Sequence, residues 1–208
     1  MAVGTDADTE SIAETDTVDA YVARLADGLD SHPDCVIKGA FSRSLLERIP
    51  AVPAGLPGPL GELVEHPPLI SAWIPEVHHQ GLIVAVVERV YAGDREAFLE
   101  MMTGMQRDLL GRKIYAPLLQ WVDPARLLHQ AAKRWSNFHR GTSLEVERID
   151  DDGARLSIVH PAALYSGAGC DALAGGFRAA VEAGRTAHAD VVVAARTPTR
   201  TTFRAAWR

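Results

Sequence analysis

Cysteine is scarce. Cys35 and Cys170 are the only two and form no CxxC pair, which argues for a reducing compartment and against a disulfide framework. Long hydrophobic runs are also missing: the most apolar helical stretch, GLIVAVVERVY from Gly81, reaches Glu88 after seven residues, whereas a membrane span needs ~18–20. No transmembrane helix is expected. The start, MAVGTDADTES, lacks a basic segment followed by an apolar one and is too acidic for a mitochondrial transit peptide, so the expected compartment is the cytoplasm. An excess of positive charge is absent as well; the net charge of -6 gives no electrostatic case for nucleic acid. No GxSxG, HExxH or GxGxxG string occurs, and GAGCDALAGG fails the dinucleotide spacing. With no acid, base and nucleophile converging, an enzyme is not expected.

What is present is an ordinary globular composition. The 208 residues are 47% apolar and 23% charged, enough to bury a substantial core without a disulfide or metal. Charge is uneven: residues 1–30 hold eight acids against Arg24 alone, leaving 20 bases and 19 acids for the other 178. Residues 1–10 therefore read as an acidic flexible tail and residues 11–208 as a single domain.

Apolar residues recur at helical spacing from Ser11 to Leu29, with Thr17 or Asp16 as N-cap, and predict a first amphipathic helix. VIKGAFSRSLLERI predicts a second helix from Val36, closed by Pro50. Four prolines and three glycines between Pro50 and Gly61 predict a loop. Residues 69–92 predict a long central helix with Pro75 in its first turn and Gly93 with Asp94 as its stop. Asp94 caps a further helix to Gly111, striped by Phe98, Met101, Met102, Met105 and Leu109. After residues 114–122, Asp123 and Pro124 start another that runs through KRWSNFH to Gly141. The period then becomes two: SLEVERI, a turn at DDDG and ARLSIVH form a hairpin, CDALAGGFRAAVEAG is a helix, and HADVVVAAR and TTFRAAW pair around TPTR. The predicted class is α+β: a layer of five to six helices, then a ββαββ antiparallel four-stranded sheet.

Several side chains are candidates for chemistry. In EVHHQ, His78 and His79 point about 100° apart and cannot share a metal as an i, i+4 pair does, so they read as structural histidines. His129 and His139 fall on one predicted helix, nearly 15 Å apart by the rise of about 1.5 Å per residue, so each is a candidate single haem ligand and not a joint metal pair. Cys170 follows SGAG at a predicted helix start, where the dipole lowers a thiol pKa; a reactive thiol and a packed core residue are the two readings. Asp150 to Asp152 suit a hairpin turn, and the methionines suit core packing. KRWSNFHRG sets Lys133, Arg134 and Arg140 beside Trp135, Phe138 and His139, a patch for stacking on a ligand, contacting phosphate or covering a sheet edge.

The order VIKGAFSRSLL, WIPEVHHQGLIVAVVERVY, KRWSNFHRG and a ββαββ tail ending in TTFRAAW resembles an uncharacterised family abundant in myxobacteria and related bacteria. That family is similar to the superfamily of haem nitric-oxide-binding domains, 4-vinyl-reductase-type domains and Golgi transport tethering subunits. The resemblance implies helices and a four-stranded sheet around a hydrophobic pocket, used for sensing or assembly. The YxSxR string of the haem sensors has no match, since Tyr165 is followed by Ser166, Gly167 and Ala168. The expected function is a non-catalytic bacterial sensory or adaptor module, with no cofactor. Its cavity, between the central helix and the sheet, would take a small apolar ligand and be lined by Trp73, Val77, Phe98, Met102, Trp135 and Phe138. One alternative is a haem or gas sensor with His129 or His139 as axial ligand; the other is a ligand-free scaffold that forms a homodimer or binds another protein. Neither nucleic acid nor a membrane span is among the expected partners.

Overall fold

The computed structural model describes residues 17–110, 123–150, 152–184 and 188–208. The chain is α+β, with two antiparallel sheets of three and four strands among the described residues. The predicted acidic tail, residues 11–16 of the first helix, Gly111, residues 114–122 and Asp151 lie outside those residues.

Helix α1 (Val18–Ala23) opens at Thr17, whose hydroxyl accepts from the Ala20 amide at 3.2 Å. It is shorter than predicted: the chain passes into a 3-10 turn, Gly28–Asp30, with Gly28 at a φ of 55° that the helix cannot hold. The second predicted helix divides. Val36–Lys38 is strand β1, and only from Gly39 does α2 (Gly39–Arg48) begin. A Cβ at residue 39 would sit 2.5 Å from the Leu69 carbonyl oxygen, so glycine lets the 66–72 loop cross there.

The predicted proline-rich loop is also shorter than expected. Gly58–Glu65 forms α3, because Pro59 stands in the first turn, where its fixed φ suits a helix and its missing N–H costs nothing; Leu60 and Leu63 anchor it. Trp73–Pro75 is β2, and the central helix α4 runs Glu76–Arg89, with Pro75 at the N-cap. Positive φ at Ala92 and Gly93 ends the path. Almost every α4 residue from Glu76 to Val87 is buried. Val77, Val84 and Ala85 face one core cluster, and Leu82, Ile83, Val86 and Val87 face the other.

Asp94 caps α5 (Arg95–Leu110) through the Ala97 amide at 3.0 Å, and Asp123 caps α6 (Pro124–Arg134) through the Ala125 amide at 2.7 Å. Helix α6 stops seven residues before its predicted end. A 3-10 turn, Trp135–Asn137, redirects the chain into β3 (His139–Arg140), so His139 is a strand residue and shares no helix with His129. Sheet pairing of Ile37 with His139 and the φ of 76° at Gly141 enforce the change.

The small sheet has the order β2-β1-β3. Ile37, Ile74 and His139 are opposite one another and buried on its inner side; Lys38, Trp73 and Arg140 occupy the alternate positions. The larger sheet joins β4 (Ser143–Asp150), β5 (Gly153–Val159), β6 (Ala189–Thr197) and β7 (Arg200–Trp207) in the order β4-β5-β7-β6. Between β5 and β6 runs α7 (Gly167–Glu182), capped by Ser166 and starting three residues before the predicted Cys170. It covers the larger sheet, where Phe177 meets Phe203 edge-on at 5.2 Å. It also approaches α5 closely, since a Cβ on Gly175 would lie 3.1 Å from Leu99 and Thr103.

Candidate functional site

A cavity of about 350 Å³ lies among α4, α5, α6, α7 and the inner side of the small sheet. Its walls are mostly apolar: Ile37, Phe41, Ile83, Met102, Leu127, Leu173 and Phe177, with Gly169, Ala172, Gly176 and Ala180 giving a smooth strip along α7. Gln106, Gln130, Arg134 and Phe138 complete the lining with Trp135. The floor is polar and is built from Glu76, His79, Gln80 and His139.

Helical spacing assembles three of these floor residues. Glu76, His79 and Gln80 stand at i, i+3 and i+4 on α4 and so share one face. Gln80 Nε2 donates to Glu76 Oε1 at 3.1 Å. The small sheet brings the fourth: His139 Nδ1 lies 3.2 Å from Glu76 Oε2, both side chains being buried. Burial opposes the carboxylate's charge, but the attraction and hydrogen bond of His139, with the hydrogen bond of Gln80, outweigh it, and Glu76 stays below its usual range. An ionised carboxylate only accepts, so His139 Nδ1 carries the proton and donates it to the bond, which fixes the ring's tautomer. Trp135 stacks on that ring at 3.9 Å with 5° between planes, and Phe41 packs at 5.5 Å from it.

His79 is held by Ser42, whose Oγ is 2.8 Å from Nδ1. Burial lowers its pKa to about 4, against the pull of Glu76, so it is neutral at neutral pH. Serine, histidine and carboxylate are therefore neighbours, yet they do not form a nucleophilic relay. Ser42 is fully buried behind His79 and is not part of the cavity lining, and Glu76 bonds to His139 and Gln80, not His79. Among the described residues no three His, Cys, Asp or Glu side chains converge as a metal site.

Of the lining expected from sequence, Met102, Trp135 and Phe138 face the cavity and Trp73, Val77 and Phe98 do not. Val77 turns to the opposite side of α4, toward the core cluster shared with the larger sheet. Phe98 is fully buried between helices and touches Tyr91 edge-on at 5.9 Å. Trp73 is at an outer sheet position, under the cations of Lys38 and Arg140. The cavity itself is displaced from its expected place: α7 lies between it and the larger sheet, which contributes no described lining residue. His129 is exposed on α6 and off the cavity, whereas His139 forms part of its floor. Cys170 is buried in the core with Sγ 3.7 Å from Thr201 Oγ1, also off the cavity. Sequence reasoning missed Phe41, Glu76, His79 and Gln80; the available signal was the polar i, i+3, i+4 set on an otherwise apolar helix. No family model, curated protein or solved structure matches the chain.

Proposed function

We propose that the protein is a non-catalytic ligand-binding module of the sensory or adaptor kind. It takes a small molecule with an apolar body into this cavity and sets the molecule's polar end against the floor. The cavity carries the reading: at about 350 Å³ it suits a small molecule, and its buried polar side chains, Glu76, His79, Gln80 and His139, are grouped in the floor. Burying an apolar occupant gains about 25 cal/mol per Å², while the buried Glu76 and His139 favour a ligand that offers them a hydrogen-bonding group. Both side chains are already bonded and stacked in place, so little ordering is required when a ligand arrives.

Gly176 provides the test. A Cβ there meets nothing within 4 Å, so Gly176→Leu fills the cavity from a helix that tolerates the change. Native mass spectrometry of protein purified without additions, with titration of the fluorescent amine N-phenylnaphthylamine, reads occupancy. A retained small molecule or saturable probe binding is expected, weakened at least about tenfold in Gly176→Leu, roughly the 1–2 kcal/mol of lost apolar contact. Wild-type protein that binds neither, or a variant that binds equally well, overturns the reading. A ligand-free species at twice the chain mass would instead favour a dimeric scaffold.

One observation favours a second reading. A histidine whose Nδ1 is held by a carboxylate presents Nε2 as a well-oriented metal ligand, and His139 has that arrangement in the cavity floor. His139 is the residue that would hold a haem iron here, and the haem would supply a site for a diatomic gas. A Soret band after haem addition, retained in His129→Ala and lost in His139→Ala, would support it; a colourless protein would exclude it.

A further inference from the structure

The outer positions of the small sheet lead away from the cavity. Trp73, on β2, has the Lys38 amine 3.9 Å and the Arg140 guanidinium 4.0 Å from its ring centroid. Lys38 also donates to the Ser71 carbonyl at 2.9 Å, which ties this trio to the preceding turn. That turn presents Leu69 and Ile70 at 72% and 66% exposure, the two most exposed large apolar side chains among the described residues. At the other end, the Phe138 carbonyl accepts from the Lys38 amide, and its ring is 48% exposed. Neither Lys38 nor Arg140 has a carboxylate partner among the described residues.

Two exposed aliphatic residues, a half-buried tryptophan and two cations without a carboxylate partner among the described residues thus share one side of a chain whose net charge is -6. Cations here are held against an aromatic ring, as they are at the boundary between a bilayer's headgroups and its acyl chains. A second copy bringing the same surface would set like charges against each other. An anionic bilayer answers both features, because its phosphates and carboxylates neutralise the cations while Leu69 and Ile70 enter the apolar layer. We propose that the outer side of the small sheet, with the Leu69–Ile70 turn, docks the protein reversibly on an anionic lipid surface. The contact is peripheral, and no helix of the described residues is long and apolar enough to cross a membrane. It stands or falls independently of the cavity's occupant.

The experiment is flotation of the full chain with phosphatidylcholine vesicles, with and without about a third phosphatidylserine. Co-flotation with the anionic vesicles only, weakening as salt rises, is expected. Leu69→Ser with Ile70→Ser should reduce it more than about tenfold while leaving the fold intact, since both side chains are exposed. Lys38→Glu with Arg140→Glu should reduce it at least about tenfold, at roughly fivefold per cation. Arg155→Glu with Arg204→Glu makes the same charge change on the larger sheet, where both residues are exposed, and should reduce it much less. No flotation, equal flotation with neutral vesicles, or equal loss in both charge variants overturns the proposal. Binding to an oligonucleotide or an acidic peptide in place of vesicles also overturns it.

Discussion

Two glycines on α7 show how much one methyl group means at this site. Gly169 and Gly176 are two helical turns apart and line the same cavity. At Gly169, however, an added Cβ would sit 1.8 Å from Gln80 Oε1, whereas at Gly176 it would enter open space. Gly169 therefore keeps room for the amide that supports Glu76. Gly169→Ala should force Gln80 aside and lower stability by about 1–3 kcal/mol. Gly176→Ala should leave the floor untouched and raise stability by about 0.5–1 kcal/mol, the helix-propensity difference. Urea unfolding of the two variants decides the matter, and equal effects of one sign would mean that the Gln80 contact does not constrain the floor.

At the scale of elements, α5 offers a cleaner case because Gly104 does not line this cavity and a Cβ there meets nothing within 4 Å. Gly104→Ala should stabilise the protein by about 0.5–1 kcal/mol, seen as a higher melting temperature with ligand binding unchanged; a lower one would show that α5 needs flexibility at that point. Helices with capping residues and regular stripes, such as those after Asp94 and Asp123, were legible in the sequence, as were the long strands with period two. The small sheet was not. Its strands have two or three residues each, too short to display alternation, and they border helices whose periodicity absorbs them. Val36 and Ile37 consequently read as helix, and His139 was assigned to the wrong element. The floor of the cavity was hidden for the same reason: Glu76 and His139 are 63 residues apart and meet only because β3 pairs with β1. EVHHQ drew attention to adjacent histidines, while the pattern that matters skips from Glu76 to His79 and Gln80.

At the scale of the whole molecule, the shifted histidines and carboxylates of the described residues act in one direction on acidification. Burial lowers the pKa of His79 to about 4, and burial is also the leading cause that lowers His78 and His160. Unfolding exposes these rings to water, where histidine titrates near 6.5. As pH falls below that value the unfolded chain takes up protons that the folded chain refuses, so stability falls by up to about 1.4 kcal/mol per pH unit for each such group. Glu76 and Glu182, held below their usual range by His139 and by Arg107 with Arg178 despite burial, add a loss of the same sign at lower pH. Their stabilisation is full above the unfolded carboxyl pKa and disappears as pH drops through the folded one. His79 alone accounts for on the order of 3 kcal/mol between about pH 6.5 and pH 4, a large share of the roughly 5–15 kcal/mol that stabilises a domain. Urea melts from about pH 7 down to about pH 4.5 should therefore show a steep, continuous loss of stability. In His79→Gln, a polar group stays beside Ser42 but no longer titrates, so the variant should start less stable and lose less on acidification, by close to one proton's slope. If wild type and variant lose stability in parallel, His79 takes up its proton as readily in the folded protein as in water, and the lowered pKa assigned to the buried ring is wrong.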